Sequence, residues 1–266
     1  MTRGIVIFAQ DTATRAYTRM AAYAADRITR YLNLPVTLIT DSDVSDTGFD
    51  QVINITGSKT QRRQIGNTGV NETWRNFGRY RAYELSPYDE TILLDADYIC
   101  GSDQLLKLFD FDQPFMCHRR RIYLGTQVLS HQTEKFGNNS DMWWATVVYF
   151  KRSSEAQSIF TMMQMIQENY DHYAKIYRFK TQPYRNDYAI SIAINTVYGH
   201  IQSRDAEIPW PLYNVEFTTE IAIRNDRDWQ LEFNRHVDGE LKRFKISTYA
   251  QDLHMLNKDA LFEVIG

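Results

Sequence analysis

Two carboxylates two residues apart close an apolar run at Ile92-Leu93-Leu94-Asp95-Ala96-Asp97-Tyr98. Side chains alternate along a strand, so positions i and i+2 point the same way. A continuous run of Ile and Leu suits a central strand of an α/β sheet, where both faces are covered. The carboxyl end of such a strand is where open α/β sheets bind ligands. Two acids aimed into one crevice repel each other unless a positive charge lies between them. A divalent cation carrying a diphosphate meets that need, because hard cations take oxygen ligands.

Spacing alone does not single out this pair, since Asp-x-Asp occurs four times. Asp110/Asp112 reads as a loop beyond a helix, and Asp226/Asp228 as a polar turn between short strands. Asp41/Asp43 also follows an apolar run, Val36 to Thr40, but continues into a loop with no helix start. A solvated loop is the simpler reading there, and a nucleotide contact stays open. Asp95/Asp97 is followed instead by Ser102-Asp103 and a short apolar helix pattern. Two basic stretches could hold phosphates. Residues 61–81 carry Arg62, Arg63, Arg75, Arg79 and Arg81 against Glu72 alone, and His118-Arg119-Arg120-Arg121 forms a second cluster. A solvated surface is the bland alternative for the latter.

The elements that would position these groups alternate. A strand over 4–9 leads to a helix from Thr12 to about Asn33, capped by Asp11 or Thr12. Strands follow at 36–40 and 51–55, then a Gly/Asn/Thr-rich loop through Gly66-Asn67-Thr68-Gly69 and a helix from about Thr73 to Leu85. Beyond the 91–95 strand come strands at 114–118 and 145–150. The Ser154-Glu155-Ala156-Gln157 capping box opens a helix to about Tyr177, and another helix runs from Asp187 to Tyr198, closed by Gly199. A hairpin (221–224, 229–233) turns on Asn225-Asp226-Arg227-Asp228, and a short helix starts at Lys258. Methionines 162, 163 and 165 read as core packing. This order predicts an α/β fold with a mostly parallel, doubly covered sheet.

The chain has 266 residues, 43% of them hydrophobic, and a net charge of −3. A chain of this size can bury about 75% of its unfolded surface, so a full core needs no disulfide. No apolar run approaches the roughly 18 residues of a membrane span. The N-terminal apolar run is short and reads as a first strand rather than a signal peptide. Cys100 and Cys117 have no paired spacing, which speaks against cysteine-held zinc and for a reducing, cytoplasmic setting. The charge gives no global attraction to nucleic acid. Oligomeric state leaves no mark.

The block Arg79-Tyr80-Arg81-Ala82-Tyr83-Glu84-Leu85-Ser86-Pro87-Tyr88-Asp89, running into Leu94-Asp95-Ala96-Asp97, resembles the GT-A glycosyltransferases, in pattern the glycogenin-like family. Asn186-Asp187-Tyr188-Ala189-Ile190 resembles that family's Asp-Gln helix start, and His254-Met255-Leu256-Asn257-Lys258 its C-terminal His…Lys element. The resemblance departs at Trp144-Ala145-Thr146, where the family has Asn-x-Gly. It implies a GT-A core over 1–215, with 216–266 as a β-hairpin extension and metal- and diphosphate-contacting tail of the same domain. The chain also resembles uncharacterised tailed-phage glycosyltransferases associated with sugar-modified 5-hydroxymethylcytosine in DNA, which would place it in the host cytoplasm.

By that resemblance the activity is metal-dependent transfer of a hexosyl or pentosyl group from a nucleoside diphosphate sugar, a UDP-sugar first, to a hydroxyl. Asp97 and His254 would ligate the metal directly and Asp95 through water or at the ribose. A histidine nitrogen favours Mn²⁺ over Mg²⁺. Arg79 and Lys258 would bind the donor diphosphate. Asp187 is the candidate carboxylate beside the reacting carbon, though it also suits a helix cap. Trp143, Trp144 and Asn186 are candidates for acceptor binding, with core packing the alternative for the tryptophans. The acceptor is 5-hydroxymethylcytosine in DNA, or a protein, glycan or small molecule. A sugar-nucleotide nucleotidyltransferase and a non-catalytic binding protein are the competing classes. Ala9-Gln10-Asp11-Thr12 lacks the Gly-rich basic loop a nucleotidyltransferase usually carries after its first strand.

Overall fold

The structure is a computed structural model that describes all residues except 45–47, 57–60, 65–70, 76–77, 126–134, 138, 180–182, 200–202, 217 and 224. The loop expected through Gly66 and Gly69 and the side chains of Arg62 and Arg63 lie outside the described residues. In chain order the strands are β1 (Arg3–Phe8), β2 (Val36–Thr40), β3 (Gln51–Asn54), β4 (Gln61–Gln64), β5 (Asn71–Trp74), β6 (Glu90–Asp95), β7 (Tyr98–Ile99), β8 (Phe115–His118) and β9 (Arg121–Tyr123). They continue with β10 (Lys135–Phe136), β11 (Ser140–Asp141), β12 (Trp144–Lys151), β13 (Leu212–Val215), β14 (Thr218–Ile223), β15 (Asp228–Val237), β16 (Glu240–Tyr249) and β17 (Leu253–Met255). The helices are α1 (Tyr17–Leu32), α2 (Ala82–Leu85), α3 (Ser154–Glu168), α4 (Tyr170–Ile176), α5 (Asn186–Val197) and α6 (Lys258–Ile265).

The central sheet has the order β3-β2-β1-β6-β12-β8. β3, β2, β1 and β6 run parallel, and β12 is antiparallel to both β6 and β8. Successive residues of β1, β2, β6 and β12 are buried, so both faces of the sheet are covered. The α/β class with a mostly parallel sheet is therefore as the sequence implies. Among the described residues no helix is long and apolar enough to cross a membrane. Cys100 and Cys117 are free and buried.

A second sheet, β7-β17-β13-β9, positions the site. β7 follows directly on the Asp95–Asp97 turn, and β17 pairs with it antiparallel, setting His254 opposite Tyr98. β13 pairs parallel to β17, setting Asn214 opposite His254. Ahead of β17, the meander β14-β15-β16 packs Trp229, Leu231 and Phe233 into the core.

Several expected elements are corrected. α1 begins at Tyr17, not Thr12, because Thr12 and Arg15 close a turn first. Asp11 still reaches forward to the helix start, accepting from Thr18 N and Thr18 Oγ1 at 2.8 and 2.9 Å. The helix expected from Thr73 shrinks to a 3-10 turn over Gly78–Arg81 and α2, because 71–74 pair with β4. The helix expected to reach Tyr177 divides at Asn169, whose φ of −120° leaves helical geometry. Its cap is Ser153, whose side chain accepts from Ala156 N, so no capping box forms at Ser154. The expected hairpin is the first half of the meander, and β16 is a further strand.

Candidate functional site

β6 carries Ile92, Leu93 and Leu94 through the core and releases the chain at Asp95, beside Phe8 of β1. Ala96 and Asp97 then turn into β7, so the two carboxylates converge across a turn rather than along one pleated strand. Met255 N donates to the Asp97 carbonyl at 2.9 Å, which ties β17 to that turn. The His254 ring arrives between the acids, with Nε2 3.5 Å from Asp97 Oδ1 and 3.7 Å from Asp95 Oδ2. One ligand atom from each of Asp95, Asp97 and His254 falls within a 4.8 Å cluster. Among the described residues this is the only such grouping of three His, Cys, Asp or Glu side chains.

Positive groups flank the cluster. Lys258, on the first turn of α6, donates from Nζ to Asp97 Oδ2 at 2.8 Å. Burial alone would push the Asp97 carboxyl up, but its charged surroundings, the Lys258 ammonium foremost, outweigh it and hold it well below the usual carboxylate range. Burial likewise opposes the charged Lys258, and Asp97 more than reverses this, raising its pKa. Arg79 is 1% exposed. Its guanidinium donates to Asp95 Oδ1 and to the Ala145 carbonyl. It therefore faces Asp95 and the backbone rather than the open side of the cluster.

Ala145 also joins Asp187 to this group. Its amide donates to Asp187 Oδ1 at 3.1 Å, while Arg185 Nη2 holds Asp187 Oδ2 at 2.8 Å. Arg79 and Asp187 thus bond to the carbonyl and the amide of one residue, Ala145 on β12.

Of the acceptor candidates, Trp143 is completely buried, as the core-packing alternative has it. Trp144 is nearly buried, with the Arg121 guanidinium 3.4 Å from its ring centroid. Asn186 is buried at the start of α5 and accepts from Tyr184 Oη at 3.3 Å. Within the basic run at 119–121, Arg119 pairs with Asp141 and Glu207 at 3.1 and 2.9 Å and Arg120 with Glu207 at 2.7 Å, while Arg121 lies over the Trp144 ring. Asp41 forms a 2.6 Å pair with Arg75.

Sequence reasoning missed Asn214. It is 1% exposed, and its Oδ1 lies 3.1 Å from Nδ1 of His254. Only a parallel strand pairing brings these residues together, and nothing local in Leu212–Val215 announces it.

No family model matches the chain, and no curated protein sequence matches it either. Solved structures resemble it at low identity. The apo form of glycosyltransferase GlyE from Streptococcus pneumoniae TIGR4 is 15% identical over 75% of this chain, with a TM-score of 0.42. Galactosyltransferase LgtC, in complex with donor and acceptor sugar analogs, is 17% identical over 72% of this chain and 70% of its own, with a TM-score of 0.44. Mouse xyloside xylosyltransferase 1 is 11% identical over 74% of this chain and 82% of its own, with a TM-score of 0.43. The chain spans 43% of the length of the GlyE chain. These are likenesses of chain path.

Proposed function

We propose that the chain is a metal-dependent glycosyltransferase of the GT-A kind, taking its sugar from a nucleoside diphosphate sugar, a UDP-sugar first. The observation that carries this reading is the convergence of Asp95, Asp97 and His254 with Lys258 beside them. Three ligand-bearing groups that would otherwise crowd negative charge and a nitrogen lone pair together fit a divalent cation, and the nitrogen favours Mn²⁺ over Mg²⁺. Asp97 and His254 would hold the metal, with Asp95 alongside. When bound, the metal supplies Lewis-acid neutralisation of charge on the departing diphosphate.

In the transfer, the bond between the sugar's anomeric carbon and the diphosphate oxygen breaks, and that oxygen keeps the electron pair. A new bond forms from the acceptor hydroxyl oxygen to the same carbon, and the hydroxyl proton leaves. Lys258 supplies fixed positive charge where the leaving group develops its negative charge. Arg79 holds Asp95 in place from below and adds to the local positive potential. Asp187, fixed by Ala145 and Arg185, is our candidate to orient the acceptor hydroxyl or take its proton. Residues 1–215 supply Arg79, Asp95, Asp97 and Asp187, and 216–266 supply His254 and Lys258, so we treat both segments as one catalytic unit. The pairing of Arg119 and Arg120 with acids weakens the case for a DNA acceptor and favours a protein, glycan or small molecule.

A thermal-shift panel of nucleoside diphosphates with and without Mn²⁺ tests the reading. A ligand at about 100 times its Kd adds roughly 2.7 kcal/mol of stability. A metal-dependent shift with one nucleotide is expected, and no shift with any nucleotide overturns the assignment. A nucleotidyltransferase would instead consume a sugar phosphate and a nucleoside triphosphate and release pyrophosphate.

A further inference from the structure

We propose that Asn214 is a positioning residue for this metal site, fixing His254 in the tautomer that presents a bare Nε2 to Asp95 and Asp97. The inference rests on the metal-site reading above. Asn214 and His254 are partners in the parallel β13–β17 pairing, so the backbone ladder sets their separation. Asn214 is 1% exposed and His254 7%, and water does not compete for their bond. A carbonyl oxygen of an amide can only accept, so Asn214 Oδ1, at 3.1 Å, draws the ring proton to Nδ1 of His254. Thr146 Oγ1 lies 3.4 Å from the same nitrogen and can accept there too.

A neutral imidazole with its proton on Nδ1 has a lone pair on Nε2. That lone pair points at two carboxylate oxygens 3.5 and 3.7 Å away. Such an arrangement is repulsive by itself and attractive around a cation. Hydrogen bonding at the far nitrogen also makes the ring a stronger ligand, and partners of this kind change metal affinity by about 10–100-fold when removed.

Two measurements on the full chain test this. The first is a long-range ¹H–¹⁵N spectrum of His254 with saturating Mg²⁺, where a proton on Nδ1 and none on Nε2 is expected. A proton on Nε2 overturns the proposal. The second is titration with Mn²⁺ alone of wild type, Asn214→Ala, Asn214→Asp and Asp97→Ala. Asn214→Ala should bind about 10–100-fold more weakly. Asn214→Asp, which keeps an acceptor and adds charge, should bind at least as tightly as wild type, an outcome a purely structural role would not produce. Wild-type affinity in Asn214→Ala, with binding lost in Asp97→Ala, overturns the proposal and leaves the metal site standing. Unchanged affinity in Asp97→Ala removes the metal site and the proposal together. Should Asn214→Ala fail to fold, the wild-type spectrum and Asn214→Asp still decide.

Discussion

Lys258 Nζ sits 2.8 Å from Oδ2 of Asp97 across 161 residues of chain, so a cation from α6 is matched to an acid from the β6–β7 turn. Both groups are largely buried, with side-chain exposures of 21% and 8%. Removing one member leaves the other charge uncompensated in a low-dielectric setting, which costs about 3–5 kcal/mol in comparable buried pairs. Asp97→Ala is therefore expected to lower stability by an amount at the lower end of that range, given the partial exposure of Lys258. It should also abolish Mn²⁺-dependent stabilisation by nucleoside diphosphates. Urea unfolding and thermal shifts measure the two effects. Unchanged nucleotide shifts in a folded Asp97→Ala would remove the donor site from this cluster.

Arg79 bonds Asp95 with one nitrogen and the Ala145 carbonyl with another. A lysine reaches one acceptor at a time from a point charge and cannot reproduce that fork. Arg79→Lys should keep the charge, lose one bond, and destabilise the fold by about 1–3 kcal/mol through the carbonyl left without a donor. Transfer should fall more than nucleotide affinity does, because Asp95 loses its link through Arg79 to the Ala145 carbonyl. Stability together with separate KM and kcat values checks this, and equal loss in KM alone would point to direct donor contact.

Gly101 follows β7, and a Cβ there would strike the backbone carbonyl of Gln251. Backbone cannot swing aside as a side chain can, so Gly101→Ala must push the 251–255 segment outward. Overpacking of this kind costs about 1–3 kcal/mol. Because His254 lies on that segment, the variant should also weaken Mn²⁺ binding while touching none of the ligands. Full Mn²⁺ affinity in Gly101→Ala would show that β17 tolerates displacement.

Burial lowers the His118 imidazole from 6.5 to about 3, and nearby Arg120 adds to this against the bond to the Trp210 carbonyl. The folded chain then keeps His118 neutral while the unfolded chain takes up a proton below about pH 6.5. Its contribution is complete above that pH and is lost as pH falls toward 3, at up to about 1.4 kcal/mol per pH unit. Asp97, whose folded pKa is depressed, contributes above its unfolded value and loses that share only at lower pH. Denaturation of wild type and His118→Asn between pH 7 and 4.5 separates the two. The variant should lose less stability over this interval, and parallel curves would contradict the assignment.

The acidic turn was legible because a continuous Ile-Leu run forces a central strand and leaves Asp95 at its end. The β7–β17 pairing that carries His254 and Lys258 to it was not, and only the resemblance at the tail pointed there. Asn214 had no signal, since an asparagine in a four-residue strand looks like any loop residue. The pairing of Arg119 and Arg120 with Asp141 and Glu207 was not legible, because charge counted along the chain omits partners brought from elsewhere. β16 escaped notice because it is exposed almost throughout, Phe244 included, and its Arg243 and Lys245 pair with Glu232 on β15, so no buried apolar alternation announces a strand.

The pairing of β17 with β7 has a consequence for synthesis. Translation delivers Arg79, Asp95 and Asp97 long before His254 and Lys258 emerge, so a growing chain on the ribosome has the acidic half of the site without its partners. Until the tail docks, Asp97 lacks the cation that counters its burial. Docking of β17 against β7 is then what completes the cluster of Asp95, Asp97 and His254.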